Sequence, residues 1–304
     1  MATTMAAPVA NSIALAQKYL PILDEIYKRG SLSAILDTAN ERVNWIGAKT
    51  ANVFKTSMNG LSSYDRNAGF VPGSVTGVWE PLTLEIDRGR SFTVDDMDNE
   101  ESVGLAFGTL LGEFERTQVI PEVDAYRFAK YAAAATGTNV ATKTLAATDD
   151  VASFIQTAEG VLDDKEVPYE GRILFISPAA YSNMKDHITR FTENGDPDVN
   201  GHVEMYDGMR VIRVPSARFN TAITLNAPTT NTGAGGYTAS GVAINFMIVH
   251  PSAVIQIIKH IVPRVFSPEV NQESDGYKLN YRIYHDAFAL ANKVDGIYLH
   301  KASA

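Results

Sequence analysis

The order of apolar and polar residues divides the 304-residue chain into segments of unlike character. Near the start, Ile13, Leu15, Leu20, Leu23 and Ile26 form a short amphipathic stretch interrupted by Pro21 and Gly30. So broken a stretch reads as an arm that needs a partner surface. Between Asn59 and Met97, Gly60, Gly69, Gly73, Gly77 and Gly89, with Pro72 and Pro81, punctuate short β-like runs, and Leu82, Leu84 and Ile86 alternate with polar residues. That pattern predicts a long β-hairpin. Next, Val103, Phe107, Leu110, Leu111 and Phe114 recur at steps of three and four, the signature of a long helix with one apolar stripe. Pro121 predicts a kink or break, after which Val123, Tyr126 and Tyr131 lead into the alanines 132–135 and a close at Gly137.

A second amphipathic helix is expected from Asp149 to Glu166, with Val151, Phe154, Ile155, Ala158, Val161 and Leu162 inward. "RILFIS" reads as a buried strand, and Ser177 followed by Pro178 as the cap and first position of another helix. With the β-like "MRVIRVP" this makes a compact α+β unit, and "TTNTGAGGYTASG" a loop near its end. In the last sixty residues Ile244, Phe246 and Ile248 alternate, Ile255 to Val262 is mostly apolar, and Tyr277, Leu279, Tyr281 and Ile283 alternate again. These strands are expected to form one sheet under the long helix, which makes the helix-plus-sheet unit discontinuous in sequence.

Composition narrows the function classes. With 45% hydrophobic residues the chain can bury a sizeable core, and the absence of cysteine excludes disulfides and thiolate metal sites. No basic residue precedes Lys18 and no apolar run is long enough to span a bilayer, so neither a signal peptide nor a membrane role is expected, and synthesis in the cytoplasm fits. A net charge of -9 argues against affinity based on gripping phosphates. The charge is uneven: residues 1–57 carry +2, 58–101 carry -6, 102–249 carry -6 and 250–304 carry +1. Weakly basic ends around an acidic middle suit a chain whose ends lie against other copies of itself.

No motif for catalysis survives inspection. His187, His202, His250, His260, His285 and His300 are scattered, none in a zinc-protease or nucleophile-elbow pattern. "GAGGYT" precedes a predicted strand instead of opening a helix, and "GYTASGV" has Val242 where a phosphate-binding loop needs lysine. In "DPDVNGHVEMYD", Asp196, Asp198, Asn200, Gly201 and Val203 fit a calcium loop, but Asp207 replaces the longer glutamate and a strand follows. An acidic surface loop is the simpler account. In "DRGRSFTVDDMDNEES", residues 87–102, Asp98 and Glu101 form a capping pair for the long helix, so its acids need no metal. No catalytic, cofactor-binding or metal residue is assigned; a metal-dependent enzyme on the acidic loops is the minor alternative.

The ordered set "LDEIYKRGSLSAIL", "GFVPG" followed by "LTLEIDRGRSFTVDDMDNEES", "QVIPEVDAYRFAKYA", "RILFISPAAYSNMK", "DGMRVIRVP" and "DGYKLNYRIYHDAFAL" resembles tailed-bacteriophage major capsid proteins of the Hong Kong 97 fold over nearly the whole chain. The resemblance implies an α+β fold with an N-terminal arm (1–57), an extended loop formed by the hairpin (58–97), a peripheral domain of spine helix and β-sheet (98–140 and 243–304), and an inserted axial domain (141–242). It further implies hexamers and pentamers of the chain in an icosahedral shell around double-stranded DNA, with a virion location after assembly in the host bacterial cytoplasm. Portal and scaffolding proteins, and in some shells a decoration protein, are the implied partners; an encapsulin-like compartment is the second reading.

Some shells of this fold are cross-linked by an extended-loop lysine that attacks a neighbour's asparagine. Here no lysine occurs from residue 56 to 129, although Asn271, Asn280 and Asn292 fall in the peripheral region, so a shell without covalent links is expected. Arg66, Arg88 and Arg90 of the hairpin are expected at the subunit interface, near acidic groups of a neighbour.

Overall fold

The structure, a computed structural model, describes residues 30–37, 44–45, 49–67, 69–95, 112–191, 203–228, 233–272 and 275–303. The amphipathic stretch at 13–26, the Asp98–Glu101 capping pair and the helical stripe from Val103 to Leu111 lie outside these residues. Its strands are β1 (Asn44–Trp45), β2 (Thr50–Met58), β3 (Val75–Thr83), β4 (Ile86–Asp95), β5 (Val140–Thr142), β6 (Ile173–Ile176), β7 (Met205–Tyr206), β8 (Met209–Arg213), β9 (Ile223–Leu225), β10 (Tyr237–Ala239), β11 (Ile244–Val249), β12 (Val254–Phe266), β13 (Gly276–Ala289) and β14 (Ile297–Lys301). Three helices matter: α1 (Ile120–Ala134), α2 (Val151–Asp164) and α3 (Pro178–Phe191).

The strands form four sheets, in the orders β1-β2-β3, β10-β9, β5-β14-β11-β6-β8-β7 and β12-β13-β4. In the six-stranded sheet the side-chain alternation assigns each residue to a layer. Phe175 of β6 and Met247 and Val249 of β11 pack against Phe128 and Tyr131 of α1. Their neighbours Leu174, Ile176, Phe246 and Ile248 face the other way, toward Ile155 and Leu162 of α2 and Met184 of α3. The sheet is thus covered on both faces, and strands covered on both faces must be apolar at nearly every position. That is why "INFMIV" reads as it does.

This corrects the expectation that all the C-terminal strands lie in one sheet under the long helix. β12 and β13 do lie under it, but β11 and β14 belong to the six-stranded sheet, antiparallel to each other, with β11 also antiparallel to β6. Phe246 and Ile248 mark one face of β11, and Met247 and Val249 make the second face equally apolar.

α1 bridges the two sheets. Its start packs Ile120 and Val123, with Val119 just before them, on Tyr281 and Ile283 of β13, while Phe128 and Tyr131 reach the six-stranded sheet. Pro121 does not break it. A π-helical segment, Glu115–Val119, runs directly into Ile120 with helical backbone throughout. A proline ring clashes with the carbonyl four residues before it and lacks the N–H that would bond there; the wider π turn accommodates both. The helix ends where Ala135 turns extended, and Gly137 follows at φ 63°. α2 starts on Asp150, whose side chain accepts from the Ser153 N–H, and α3 on Ser177, whose hydroxyl accepts from the Ala180 N–H.

Candidate assembly surface

β2 and β3 pair antiparallel from Thr50 opposite Thr83 to Met58 opposite Val75. Opposed residues share a face, so this register sorts the hairpin into two sides. One carries Phe54 opposite Trp79 and Met58 opposite Val75; the other carries Val53 opposite Glu80, Lys55 opposite Val78 and Ser57 opposite Thr76. At the root, Ala51, Leu82 and Leu84 are buried against Ile255, Ile257 and Leu290. Farther out that support stops. Phe54 is 52% exposed, Trp79 49%, Met58 69% and Val75 72%.

Eleven large apolar side chains are exposed among the described residues, and nine of them lie between Phe54 and Trp79, so the exposure is a property of this one hairpin. The Phe54 and Trp79 rings lie 4.9 Å apart. At the tip, Asp65 and Gly69 exchange backbone hydrogen bonds, and the Asp65 carboxylate accepts from the Asn67 N–H. Gly69 sits at φ 80°, where a side chain would be strained. This turn sets Tyr64 and Phe70 with ring centroids 4.8 Å apart and outward-facing. Burying side chains of this size is worth about 1.5–3 kcal/mol each. A contiguous apolar surface of this kind marks a protein-interaction site.

The three arginines expected at the subunit interface lie in two places. Arg66 is exposed in the tip turn. Arg88 and Arg90 lie on the face of β4 that Phe92 shares, and β4 pairs along β13 with Arg88 opposite Ile283. Phe92 packs edge-on against Phe114, at 4.8 Å, and Phe114 against Tyr281 at 5.5 Å. Arg88 has its acid within its own chain: Nε donates to Glu122 Oε1 at 2.8 Å and Nη2 to Oε2 at 3.2 Å. Its remaining donors meet the Asn226 carbonyl at 2.7 Å and the Gly236 carbonyl at 3.1 Å. Arg90 Nη2 donates to the Gly233 carbonyl at 3.1 Å. Arg88 thus has an ionic partner on α1 within its own chain. β4 itself is not a hairpin strand; it leaves the hairpin at Leu84–Glu85 and joins the β12-β13 sheet.

His300, His285 and Glu159 are buried among core side chains. His300 stacks on Phe246 at 4.8 Å and on Phe154 at 5.4 Å, and its Nδ1 meets the Asn245 amide. His285 is buried edge-on to Tyr126, and burial, with the charges of Arg127 and Arg88, drives it down to about 3. Glu159 is pushed up to about 7 by burial and by the neighbouring Asp207 carboxylate. Of the candidate calcium loop, Asp196, Asp198, Asn200 and Gly201 lie outside the described residues. Asp207 is in the β7–β8 turn at φ 45°, with its carbonyl and Oδ1 facing the Tyr169 hydroxyl. Among the described residues no three His, Asp or Glu side chains converge as a metal site.

Sequence reasoning passed over Phe54, Met58, Val75 and Trp79. A signal was present: both strands place large apolar residues at every fourth position on one face, in a segment whose glycines and prolines leave no helix nearby to cover them. It also counted lysines from residue 56, whereas β2 begins at Thr50 and carries Lys55 opposite Val78.

No protein-family model matches the chain, and no curated protein matches it. Solved structures do. A structure from Mycobacterium phage Che8 is 14% identical, with 84% of this chain and 85% of that one covered, at a TM-score of 0.58. The capsid structure of the Cyanophage P-SCSP1u is 14% identical, covers 84% of each chain and has a TM-score of 0.59. The asymmetric unit of the bacteriophage PhiM1 mature capsid is 14% identical, with 84% and 82% covered, at a TM-score of 0.54. At such identities the likeness is one of fold, and the α+β, Hong Kong 97-like architecture expected from the sequence is the one found.

Proposed function

We propose that this chain is the major capsid protein of a tailed bacteriophage, a structural subunit that self-assembles as hexamers and pentamers into an icosahedral shell around double-stranded DNA. The observation that carries the reading is the apolar side of the β2–β3 hairpin, Phe54, Met58, Val75 and Trp79, left uncovered by its own chain on a fold that phage shells also have. A second copy of the chain supplies the cover. Because the hairpin surface and its receiving surface are different patches, the contact is heterologous and closes into rings. The net charge of -9 helps keep packaged DNA from adhering to the shell wall.

In this reading the hairpin is the extended loop, α1 with β4, β12 and β13 forms the peripheral unit, and the axial unit holds the six-stranded sheet, β11 and β14 included. Arg66 at the tip contacts an acidic group of a neighbour. Portal, scaffolding and decoration proteins are the further partners, the host bacterial cytoplasm is the place of assembly and the virion the destination.

Electron microscopy and sedimentation of the full-length protein, expressed with and without a scaffolding partner, test the reading. Uniform closed shells are expected; persistent monomers under both conditions overturn it. Shells that copurify with one enzyme cargo instead of packaging DNA in an infection would favour a storage compartment. The shell is held without covalent links, since Lys55 is the single lysine on β2 and β3 and sits half-buried in the middle of β2. A ladder of multimers on a denaturing gel of mature particles, lost in Lys55→Ala, would refute that part.

A further inference from the structure

Arg88 holds together parts of the chain that are remote in sequence. Its strand, β4, is fixed to β13, and its fork binds Glu122 of α1 in a bidentate pair. The same guanidinium donates to the carbonyls of Asn226 and Gly236, the residues that end β9 and precede β10. Those two residues are themselves joined, the Asn226 N–H donating to the Gly236 carbonyl at 2.9 Å, so Arg88 grips both sides of one hairpin where its connecting loop begins and ends. The acceptors there are backbone atoms, and the grip is therefore indifferent to the side chains of the connection. Only a planar fork of several donors can make these contacts at once; a lysine cannot.

The surroundings make this contact more than a surface ion pair. Arg88 and Glu122 side chains are 22% and 13% exposed, against 62% and 41% for the Arg282–Asp87 pair on the same sheet. Partial desolvation strengthens the first pair, whereas open surface pairs contribute little. Arg88 lines a cleft of about 560 Å³ together with Phe92, Phe114, Gln118, Val123, Asn226 and Gly236. The β9–β10 hairpin thus meets α1 beside this cleft, with Arg88 at its rim.

We propose that Arg88 is a mechanical lock. With Glu122 in place, β9–β10, β4 and α1 move as one body, and the exposed β2–β3 hairpin, joined to β4 through Leu84–Glu85 and packed at its root on Ile255, Ile257 and Leu290, takes its orientation from that body and the sheet it belongs to. Breaking the Arg88–Glu122 pair releases β9–β10 from α1 without unfolding either sheet. The lock does not depend on the shell reading, because it operates within a single chain.

Hydrogen–deuterium exchange on the unassembled full-length chain tests it. Arg88→Met keeps the aliphatic stem and removes the fork. It is expected to speed exchange at Asn226 and Tyr237–Ala239 at least tenfold, to speed Ile86–Arg90 by a smaller factor, and to leave β6 and β11 unchanged. Glu122→Gln moves the same amides in the same direction by less, and Arg282→Ala moves none of them. Unchanged exchange at Asn226 and β10 in Arg88→Met overturns the proposal. So does equal acceleration in β6 and β11, which would mean general loss of stability, or an Arg282→Ala variant that matches Arg88→Met.

Discussion

Strands β11 and β3 are both rich in large apolar residues, and their environments are opposite. Every residue of β11 is buried, whereas in β3 Leu82 alone is, and Val75, Val78 and Trp79 are exposed. α1 covers one face of β11 and α2 with α3 the other. Apolar content therefore states a demand for burial without saying which molecule meets it. Truncation separates the two cases most sharply. Phe246→Ala empties a site between sheet and helices and is expected to destabilise the isolated subunit by about 3–5 kcal/mol. Trp79→Ala is expected to change it by less than about 0.5 kcal/mol. Urea unfolding followed by circular dichroism measures both; a loss above about 2 kcal/mol for Trp79→Ala would mean that its own chain covers it.

Assembly should reverse the ranking. Large aromatic anchors dominate interface energies, at about 2 kcal/mol or more each, which is roughly thirtyfold in an association constant. The Phe54→Ser, Trp79→Ser double variant is expected to stay folded and to raise the concentration needed for shell formation at least thirtyfold, read by light scattering and sedimentation. Val78→Ser, on the opposite side of the hairpin, should have a smaller effect. Equal effects from the two sides would dispose of the idea that one face docks.

How far the sequence could be read follows the same division. The helices α2 and α3 were legible because their caps and stripes are local: Asp150, Ser177 with Pro178, and the Val151-to-Leu162 periodicity act within one or two turns. The assignment of β11 and β14 was not, because a strand's partners are set by long-range pairing that leaves no mark on its own residues. At Pro121 the sequence predicts a kink or break but not the π turn that absorbs the proline, which has no sequence signature. Arg88 could be singled out by charge, but its partner Glu122 lies 34 residues on and its other acceptors are backbone carbonyls, which no side-chain pattern announces.

A smaller effect distinguishes the two regions by pH. Glu159, on α2 beside the six-stranded sheet, is held near 7 instead of about 4.5. An acid whose folded value is raised stays protonated in the fold while the unfolded chain ionises, so its contribution is present below about 4.5 and is lost as pH rises toward 7. Glu159→Gln removes that loss and is expected to stabilise the subunit by about 1–3 kcal/mol at pH 8 and to flatten the profile between 5 and 7. His285 has the opposite sign: it stays neutral in the fold to about 3, so stability falls as pH drops below 6.5. Thermal melts across pH 4–8 on Glu159→Gln and the parent settle the assignment. An unchanged profile in Glu159→Gln would place the pH response elsewhere.

The mildest change probes how the docking face is shaped. A Cβ at Gly77 would fall 2.5 Å from the Phe54 ring, which lies across this position and against Trp79. The obstructing atom is the end of a rotatable, half-exposed side chain, so the ring swings away at little cost to the fold. Alanine in a strand also costs less backbone entropy than glycine, by about 0.5–1 kcal/mol. Gly77→Ala is accordingly expected to leave subunit stability level or slightly higher while lifting Phe54 off Trp79. Losing the Phe54–Trp79 pair costs the fold about 0.5–1.5 kcal/mol, which the alanine gain offsets, while the displaced aromatic anchor weakens assembly by roughly three- to tenfold. The effect should vanish when Phe54 is already alanine, which a double-mutant cycle on the assembly concentration detects. A Gly77→Ala penalty that persists without Phe54 would show that the backbone at Gly77, and not the ring above it, meets the neighbouring copy.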